Sequence, residues 1–368
     1  MSIAALPRAK LYLRPTAFID APFGYEGQFH RLAGGLCFFS AYEVIAVDGG
    51  KRIGQWLVPV SDIDAALVGH ADAQEALVRL TAARAPLHLG ERVIRLDQPH
   101  VMGILNMTPD SFSDGGKYVD DAVAAASAGV EMSAQGAALI DVGGESTRPG
   151  AAAVWAQDEI ARTAPVIERL TRAGTAVSID TRQAEVMAVA RAAGAQMIND
   201  VSALLHDTAS LALVAEAGCP VVLMHAPDSQ HTLHGDGMAT DDPLLAVYDW
   251  LDARIAAVVA GGVAREKIII DPGIGFGKKL SENMALINGL ALFHSLGCPI
   301  LLGASRKRII GALSNEAPVE QRLGGSVALA LAGAQAGAQL LRVHDVPETV
   351  QALRVWRGLR DAALTPRA

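Results

Sequence analysis

The chain has 368 residues and a formal net charge of -8; it is 51% apolar, 19% charged and 5% aromatic. That apolar share excludes a disordered, collagen-like or disulfide-stapled chain. An acidic balance with few aromatics excludes a nucleic-acid-binding face, and the length suits two or three domains, or one large α/β barrel with an appendage.

No window reaches the ~18 uninterrupted apolar residues of a membrane span. The nearest, Val327 to Leu341, contains Gln335 and Gln339 and reads as a buried helix feeding a strand. The opening MSIAALPRAKLYLRP has neither a long apolar stretch nor a cleavage pattern, so export is not expected. Cys37, Cys219 and Cys298 are odd in number and form no CxxC, which fits a reducing cytoplasm. Cys219 and Cys298 each sit in a Gly-Cys-Pro triplet, where a helix stopped by Gly and kept stopped by Pro needs no thiol chemistry.

Residues 1–96 read as an α+β extension. FFSAYEVIAV and KRIGQWLVPV flank Asp48-Gly49-Gly50 and predict a β-hairpin. Ser61 then caps an expected helix, SDIDAALVGHADAQEALVRLTAA, with apolar residues at helical spacing. This part holds no catalytic constellation; packing or dimer support is the reading of its residues.

From residue 97 to 368 short apolar runs alternate with Ala-rich helical segments: VMGIL, ALIDV, AVSID, MIND, VVLMH, IIIDP, ILLG and LLRV. The strand ends fall at 106, 141, 180, 199, 224, 271, 303 and 342, and each gap holds a crossover. Helix starts are expected at Asp120, at Asp207 or Thr208, and at Ser281. Eight βα units over such a length predict an α/β fold, a TIM (β/α)8 barrel. A doubly wound sheet is the alternative, but the first strand runs into Asn106-Met107-Thr108-Pro109 rather than a Gly-rich phosphate turn.

Each strand interior is apolar and each strand end is polar: Asn106, Asp141, Asp180, Asn199 with Asp200, His225, Asp271, then Ser305-Arg306-Lys307, and Arg342 with His344. A barrel gathers those ends on the face where barrel enzymes keep their active sites. Asp180, Asn199, Asp271 and Lys307 can hydrogen-bond the edges of a flat heterocycle. Arg148, Arg342 and His344, with the Asn106 amide, suit an anion or a metal-bound diphosphate.

Other motifs fail. Gly273-Ile274-Gly275-Phe276-Gly277-Lys278 imitates a phosphate loop, but Pro272 stands where its first glycine belongs and Lys279 follows Lys278. Ser146 and Ser305 lack the Gly-x-Ser-x-Gly elbow. His231 and His234 have no Glu or Cys partner in register for zinc. Phe276 is either a core plug or a stacking wall for a ring.

Gly103-Ile104-Leu105-Asn106-Met107-Thr108-Pro109-Asp110-Ser111-Phe112-Ser113-Asp114-Gly115-Gly116 resembles the first signature of the dihydropteroate synthases. Ile140-Asp141-Val142-Gly143-Gly144-Glu145-Ser146-Thr147-Arg148-Pro149-Gly150 resembles their second. Ser178-Ile179-Asp180-Thr181, Ile198-Asn199-Asp200, Asp271 to Lys278, Ser305-Arg306-Lys307 and Arg342-Val343-His344-Asp345-Val346 follow in the family's order, so the likeness covers about residues 97 to 362.

The resemblance implies a transferase of folate biosynthesis, cytoplasmic and usually homodimeric, in which 4-aminobenzoate displaces diphosphate from 6-hydroxymethyl-7,8-dihydropterin diphosphate. It implies Asp180, Asn199, Met224, Asp271 and Lys307 for the pterin. It implies Phe112, Thr147, Pro149, Gly275, Phe276, Ser305 and Lys307 for aminobenzoate, around which sulfonamide sensitivity is decided. Asn106, Asp141, Arg148, Arg342 and His344 fall to the diphosphate, with Asn106 also meeting Mg²⁺. Asp180, Lys307, Arg342 and His344 are the catalytic set.

In the family's ionisation-first route, diphosphate leaves before the amine attacks, and an ionised Asp180 stabilises the developing cation. An aromatic amine is barely protonated at neutral pH, so no general base is required. The loops 107–117 and 143–152 are expected to cover the substrate. The chain departs from the family at His225-Ala226-Pro227-Asp228, where the family usually has His-Met-x-Gly. A pterin-dependent methyl carrier would share the pterin-binding Asp and Asn but has less use for Ser146-Thr147-Arg148-Pro149 or Ser305-Arg306-Lys307. A silent barrel kept as a scaffold has no use for either.

Overall fold

The structure is a computed structural model that describes residues 3, 6, 8–24, 26–108, 121–146, 150–151, 154–227, 233–234 and 237–365. The extension contains β1 (Lys10–Ile19), β2 (His30–Arg31), β3 (Phe38–Asp48), β4 (Lys51–Pro59), α1 (Ile63–Ala66) and α2 (Ala71–Thr81). β3 is the spine of an antiparallel sheet, with β1 along one side and β4 and the short β2 along the other. The expected hairpin is β3–β4. Its Gly49 and Gly50 have φ of 54° and 77°, the left-handed pair whose twist suits a two-residue hairpin turn.

β1 was not foreseen, because Pro15 interrupts its pattern; a proline is tolerated here on a strand hydrogen-bonded on one side within the sheet. The helix expected from Ser61 onward is broken in two at Gly69, φ 87°. Ser61 Oγ donates to Asp62 at 2.9 Å and caps nothing.

The sheet and its helices bury Leu13, Tyr42, Val44, Ile63, Leu67 and Leu80 in a core continuous with that of the barrel. Polar ties reinforce the junction. Tyr12 Oη donates to Asp249, Arg79 Nε to the Ser295 carbonyl at 2.9 Å, and Arg84 Nη2 to the His294 carbonyl at 2.8 Å.

A second hairpin, β5 (Leu87–Leu89) and β6 (Arg92–Ile94), closes the barrel floor. Its Leu87, Leu89 and Ile94, with Leu96, pack against Met102, Leu139, Ala176, Met197, Val222, Ile269, Leu301 and Leu340 from the start of every barrel strand. One apolar layer thus joins residues on both sides of the 96/97 boundary.

The barrel follows in strict alternation: β7 (His100–Asn106), α3 (Ala122–Ala134), β8 (Leu139–Gly143), α4 (Ala156–Arg172), β9 (Val177–Asp180), α5 (Ala184–Ala192), β10 (Met197–Asp200) and α6 (Ser210–Ala217). It continues with β11 (Val221–Met224), α7 (Pro243–Ala260), β12 (Ile268–Asp271), α8 (Leu280–Asn288), β13 (Leu301–Leu302), α9 (Arg308–Leu313), α10 (Leu323–Gln335), β14 (Leu340–Val343) and α11 (Val346–Leu364). Neighbouring strands are parallel from β12 back to β7 and on through β14 to β13. The bridge Ile270↔Ile300 closes the circle. Every expected strand end lies within two residues of the observed one.

Helix starts differ slightly from expectation. Asp121, not Asp120, caps α3 by accepting from the amides of Val123 and Ala124. Asp207 accepts from the Ala209 amide ahead of α6, and Glu282 accepts from the Lys279 amide at the start of α8. The glycine stops hold: Gly218 and Gly297 have φ of 56° and 83° just before Cys219-Pro220 and Cys298-Pro299. All three cysteines are buried thiols, and burial pushes those of Cys37 and Cys298 up to about 11. Val327 to Leu341 is the end of α10 and the start of β14. Among the described residues no helix is long and apolar enough to cross a membrane.

Candidate active site

Strand register sets the level of the site. Asn106 lies across from Gly143, Gly143 from Asp180, and Asp180 from Asn199, so four consecutive strands end on one rung. Gly143 leaves a gap in it. A Cβ there would lie 3.6 Å from Asn106 Oδ1, 3.6 Å from Asp180 Cβ and 3.8 Å from Asp180 Oδ2. The glycine keeps open a space lined by an amide oxygen and a carboxylate.

Below that rung, Asp141 has no exposed surface. A carboxylate so placed must be paired, and Asp141 Oδ2 accepts from Arg342 Nε at 2.6 Å and from Asn199 Nδ2 at 2.9 Å. Arg342 extends its other edge to Asp180, Nη2 to Oδ2 at 2.7 Å. One guanidinium therefore joins β8, β9 and β14, and one carboxylate orients both Arg342 and Asn199. Asp141 holds Arg342 rather than offering itself to an anion. Its Oδ1 is buried without a hydrogen-bond partner among the described residues. Burial lifts the Asp180 carboxyl to about 7; Arg342 opposes that shift, while the charges of Asp141, Glu159 and Asp200 add to it.

Across the mouth, Asp271 Oδ1 accepts from the Gly273 amide at 2.7 Å, and burial raises its carboxyl against the pull of Lys307. The Lys307 ammonium donates to the Ile274 carbonyl and stands 4.6 Å from the centre of the Phe276 ring. Burial lowers it to about 8, with Asp271 resisting. Gly275, φ 83°, lets it pass: a Cβ there would sit 3.0 Å from Lys307 Cδ. Phe276 stacks on His234 at 5.6 Å and 8°, and borders a small apolar cluster that includes Met224, so it is a partly buried wall and not a core plug. Ser305 Oγ meets both His344 Nδ1, at 3.0 Å, and the His344 amide, at 3.2 Å. Arg306, φ 57°, is tied to Asp345.

Some strand-end residues are structural. His225 is buried edge-on against Trp250 of α7, ring centres 4.9 Å apart, and burial pushes its imidazole far down. Its carbonyl accepts from Lys278 Nζ, which also reaches the carbonyls of Gly273 and Phe276. The Lys278 of the false phosphate loop thus ties the loops after β11 and β12, including the stem of the atypical His225-Ala226-Pro227 segment. Asp200 accepts from Ser202 and the Leu204 amide and shapes a turn. Phe112, Thr147, Arg148 and Pro149 lie outside the described residues, as does His231.

Sequence reasoning missed Glu145, Glu159 and Arg182. Arg182 grips Glu145 through Nε at 3.1 Å and Nη2 at 2.7 Å, and Glu159 has no exposed surface. Their signal was weak: a charge on a loop or a helix reads as a solvated face. Only Arg182, two residues past a strand end, shared the pattern of the mouth residues.

Such a mouth defines a class, a (β/α)8 barrel whose strand ends gather carboxylates, an amide and cations at one face. The family model described as pterin binding enzyme matches residues 102–344. Dihydropteroate synthase of Escherichia coli K12 is 46% identical over 261 residues, 71% of this chain and 91% of that one. Two solved structures of the Xanthomonas albilineans dihydropteroate synthase also match. The one with 4-aminobenzoic acid has a TM-score of 0.70 at 47% identity, covering 76% of this chain and 99% of that one. The one with 7,8-dihydropteroate has 0.67 at 44%, covering 75% and 99%. The chain belongs to the dihydropteroate synthases, within the pterin-binding enzymes.

Proposed function

We propose that this chain joins 4-aminobenzoate to 6-hydroxymethyl-7,8-dihydropterin diphosphate, giving 7,8-dihydropteroate and diphosphate. The observation that carries the reading is the Asp141–Arg342–Asp180 chain with Asn199 on the same carboxylate. It supports the reading because it groups a cation, a carboxylate and an amide, the chemistry suited to an anionic leaving group beside a flat ring. A methyl carrier would need the ring contacts but not the cation aimed beside them, and the matching relatives are synthases.

In this reading Asn199, Asp271 and Lys307 hold the edges of the pterin, with Met224 beneath, and Asp180 faces its reactive side. Arg342, His344 and Arg148 receive the diphosphate. Arg342 starts with Nη2 on Asp180. Turning that edge to the diphosphate frees the Asp180 carboxylate to face the cation that develops as the leaving group departs. Burial raises the Asp180 carboxyl, and the Arg342 guanidinium on its Oδ2 pulls it back toward the ionised form. The amine then attacks without a general base. Phe276, Gly275 and Ser305 flank the aminobenzoate, with Phe112, Thr147 and Pro149 from the loops 107–117 and 143–152 acting as its cover.

The residues fit Mg²⁺ carried by substrate. Asn106 Oδ1 faces the space kept open by Gly143, and among the described residues no group of three or more His, Cys, Asp or Glu forms a metal cage. One amide oxygen suits a cation that keeps its waters and phosphate oxygens. When bound through Asn106, Mg²⁺ would supply charge neutralisation at the diphosphate.

The test is product analysis. Incubation with both substrates is expected to yield 7,8-dihydropteroate and diphosphate in equal amounts; diphosphate without dihydropteroate, or neither, overturns the reading.

A further inference from the structure

We propose that Lys278 is a positioning residue: its ammonium is a built-in cation seated among three carbonyl oxygens, and by holding the loops after β11 and β12 together it sets Asp271 and Lys307 at the mouth. The proposal rests on the reaction above, in which that carboxylate and that ammonium meet the edge of the ring.

Lys278 ends the run that imitates a phosphate loop in sequence. In a true phosphate loop the lysine reaches out to an anion. Here it turns back on its own loop, and Nζ donates to the carbonyls of Gly273 at 2.8 Å, His225 at 3.0 Å and Phe276 at 3.2 Å. An ammonium has three protons to donate, so these three oxygens use it fully. Carbonyl dipoles that point their negative ends at one spot repel one another unless a cation sits there, which is how backbone carbonyls hold potassium. Burial works against the charge and Asp271 resists; Lys307 and Glu282 add smaller pulls in opposite directions.

The seat reaches the mouth by two short routes. The Gly273 amide donates to Asp271 Oδ1 at 2.7 Å and the His225 amide to the Asp271 carbonyl at 3.0 Å, so two residues that cradle the ammonium also grip Asp271. Ile274, which lies between two of the seat's carbonyls in sequence, offers its own carbonyl to the Lys307 ammonium. Packing leaves little slack: a Cβ on Gly273 would lie 1.9 Å from the His225 oxygen, and one on Gly275 3.0 Å from Lys307 Cδ. Asn283 of α8 accepts from the Gly275 amide at 2.7 Å and donates to the carbonyls of Lys278 and Lys279. Asn283 thus anchors the loop to its helix, and Lys278 anchors it to the neighbouring strand end.

The experiment measures affinity for a pterin lacking diphosphate, affinity for inorganic diphosphate, and thermal melting in wild type, Lys278→Ala, Lys278→Met and Lys278→Gln. Pterin binding should weaken about tenfold in Lys278→Ala and Lys278→Met, which leave the carbonyls unpaired. Diphosphate falls to Arg342 across the mouth, so its affinity should stay within about twofold. Potassium or methylammonium should restore most of the loss in Lys278→Ala but not in Lys278→Met, whose side chain fills the seat. Tetramethylammonium at equal ionic strength is too bulky for the seat and should restore nothing. Lys278→Gln fills the space and keeps two donors; it decides the matter if the other two do not fold, with an expected loss of about threefold. Wild-type pterin affinity in Lys278→Met and Lys278→Gln overturns the proposal. So does a loss shared equally by pterin and diphosphate in step with melting temperature, or one in Lys278→Ala that neither cation repairs, since either marks a scaffold role. A wild type that binds no pterin sinks the parent reading instead, which separates the two failures.

Discussion

Charges without exposed surface organise this site. Asp141 spends one oxygen on two partners from different strands, the Asn199 amide and the Arg342 guanidinium. Glu159 is another buried carboxyl, and burial lifts it to about 7 from an ordinary 4.5, with Glu145 adding and Thr181, Gln183 and Arg182 opposing. The folded chain thus keeps a proton that the unfolded chain releases near 4.5. Between pH 4.5 and 7 the unfolded state binds fewer protons, so stability falls as pH rises. At about 1.36 kcal/mol per pH unit the loss approaches about 3 kcal/mol. Chemical denaturation from pH 4.5 to 8 should show the advantage of wild type over Glu159→Gln shrinking by that order; a pH-independent difference would be wrong for a buried acid. The strand-end residues were legible because each ends an apolar run. Glu159 and Glu145 were not, because only the folded barrel removes their water.

Elements were legible where one pattern lasts several turns or a strand's whole length. The eight parallel strands are doubly buried and read as uninterrupted apolar runs, and the β3–β4 hairpin announced itself by its turn. β1 carries Pro15, and β5 and β6 are three residues each, too short for a period to be read. The α1–α2 break follows from Gly69 with φ 87°, which a helical pattern alone does not disclose. Turn glycines also separate into costly and cheap ones. At Gly273, φ 71°, a Cβ would collide with the His225 carbonyl oxygen, and the amide there holds Asp271. At Gly49, φ 54°, nothing stands within 4 Å. Gly49→Ala should cost about 1 kcal/mol, the left-handed penalty alone. Gly273→Ala should cost well beyond that and weaken pterin binding. Equal denaturation midpoints for the two variants would contradict the geometry.

At the scale of the whole molecule, extension and barrel share one core. Tyr12 packs edge-on against Tyr248 with centroids 5.3 Å apart, and Arg79 and Arg84 serve the carbonyls of Ser295 and His294. A chain beginning at Pro86 keeps the floor hairpin but strips these partners. It should keep the mouth and melt about 10 °C lower, since ~1 kcal/mol moves a domain of this size by ~2 °C; an unchanged melting temperature would make the extension a passenger. The sequence pattern could not reveal this junction, because its contacts join residues more than two hundred positions apart.

The measurement that bears most directly on the site is the rate of dihydropteroate formation by Asp180→Asn, with melting temperature as the check on folding. Asparagine keeps the shape and an oxygen for Arg342 but removes the charge that faces the developing cation. The rate should fall at least ~100-fold, as when a charge-stabilising group is lost from a transition state, while the melting temperature holds within a few degrees. A folded Asp180→Asn protein working at the wild-type rate would contradict the account.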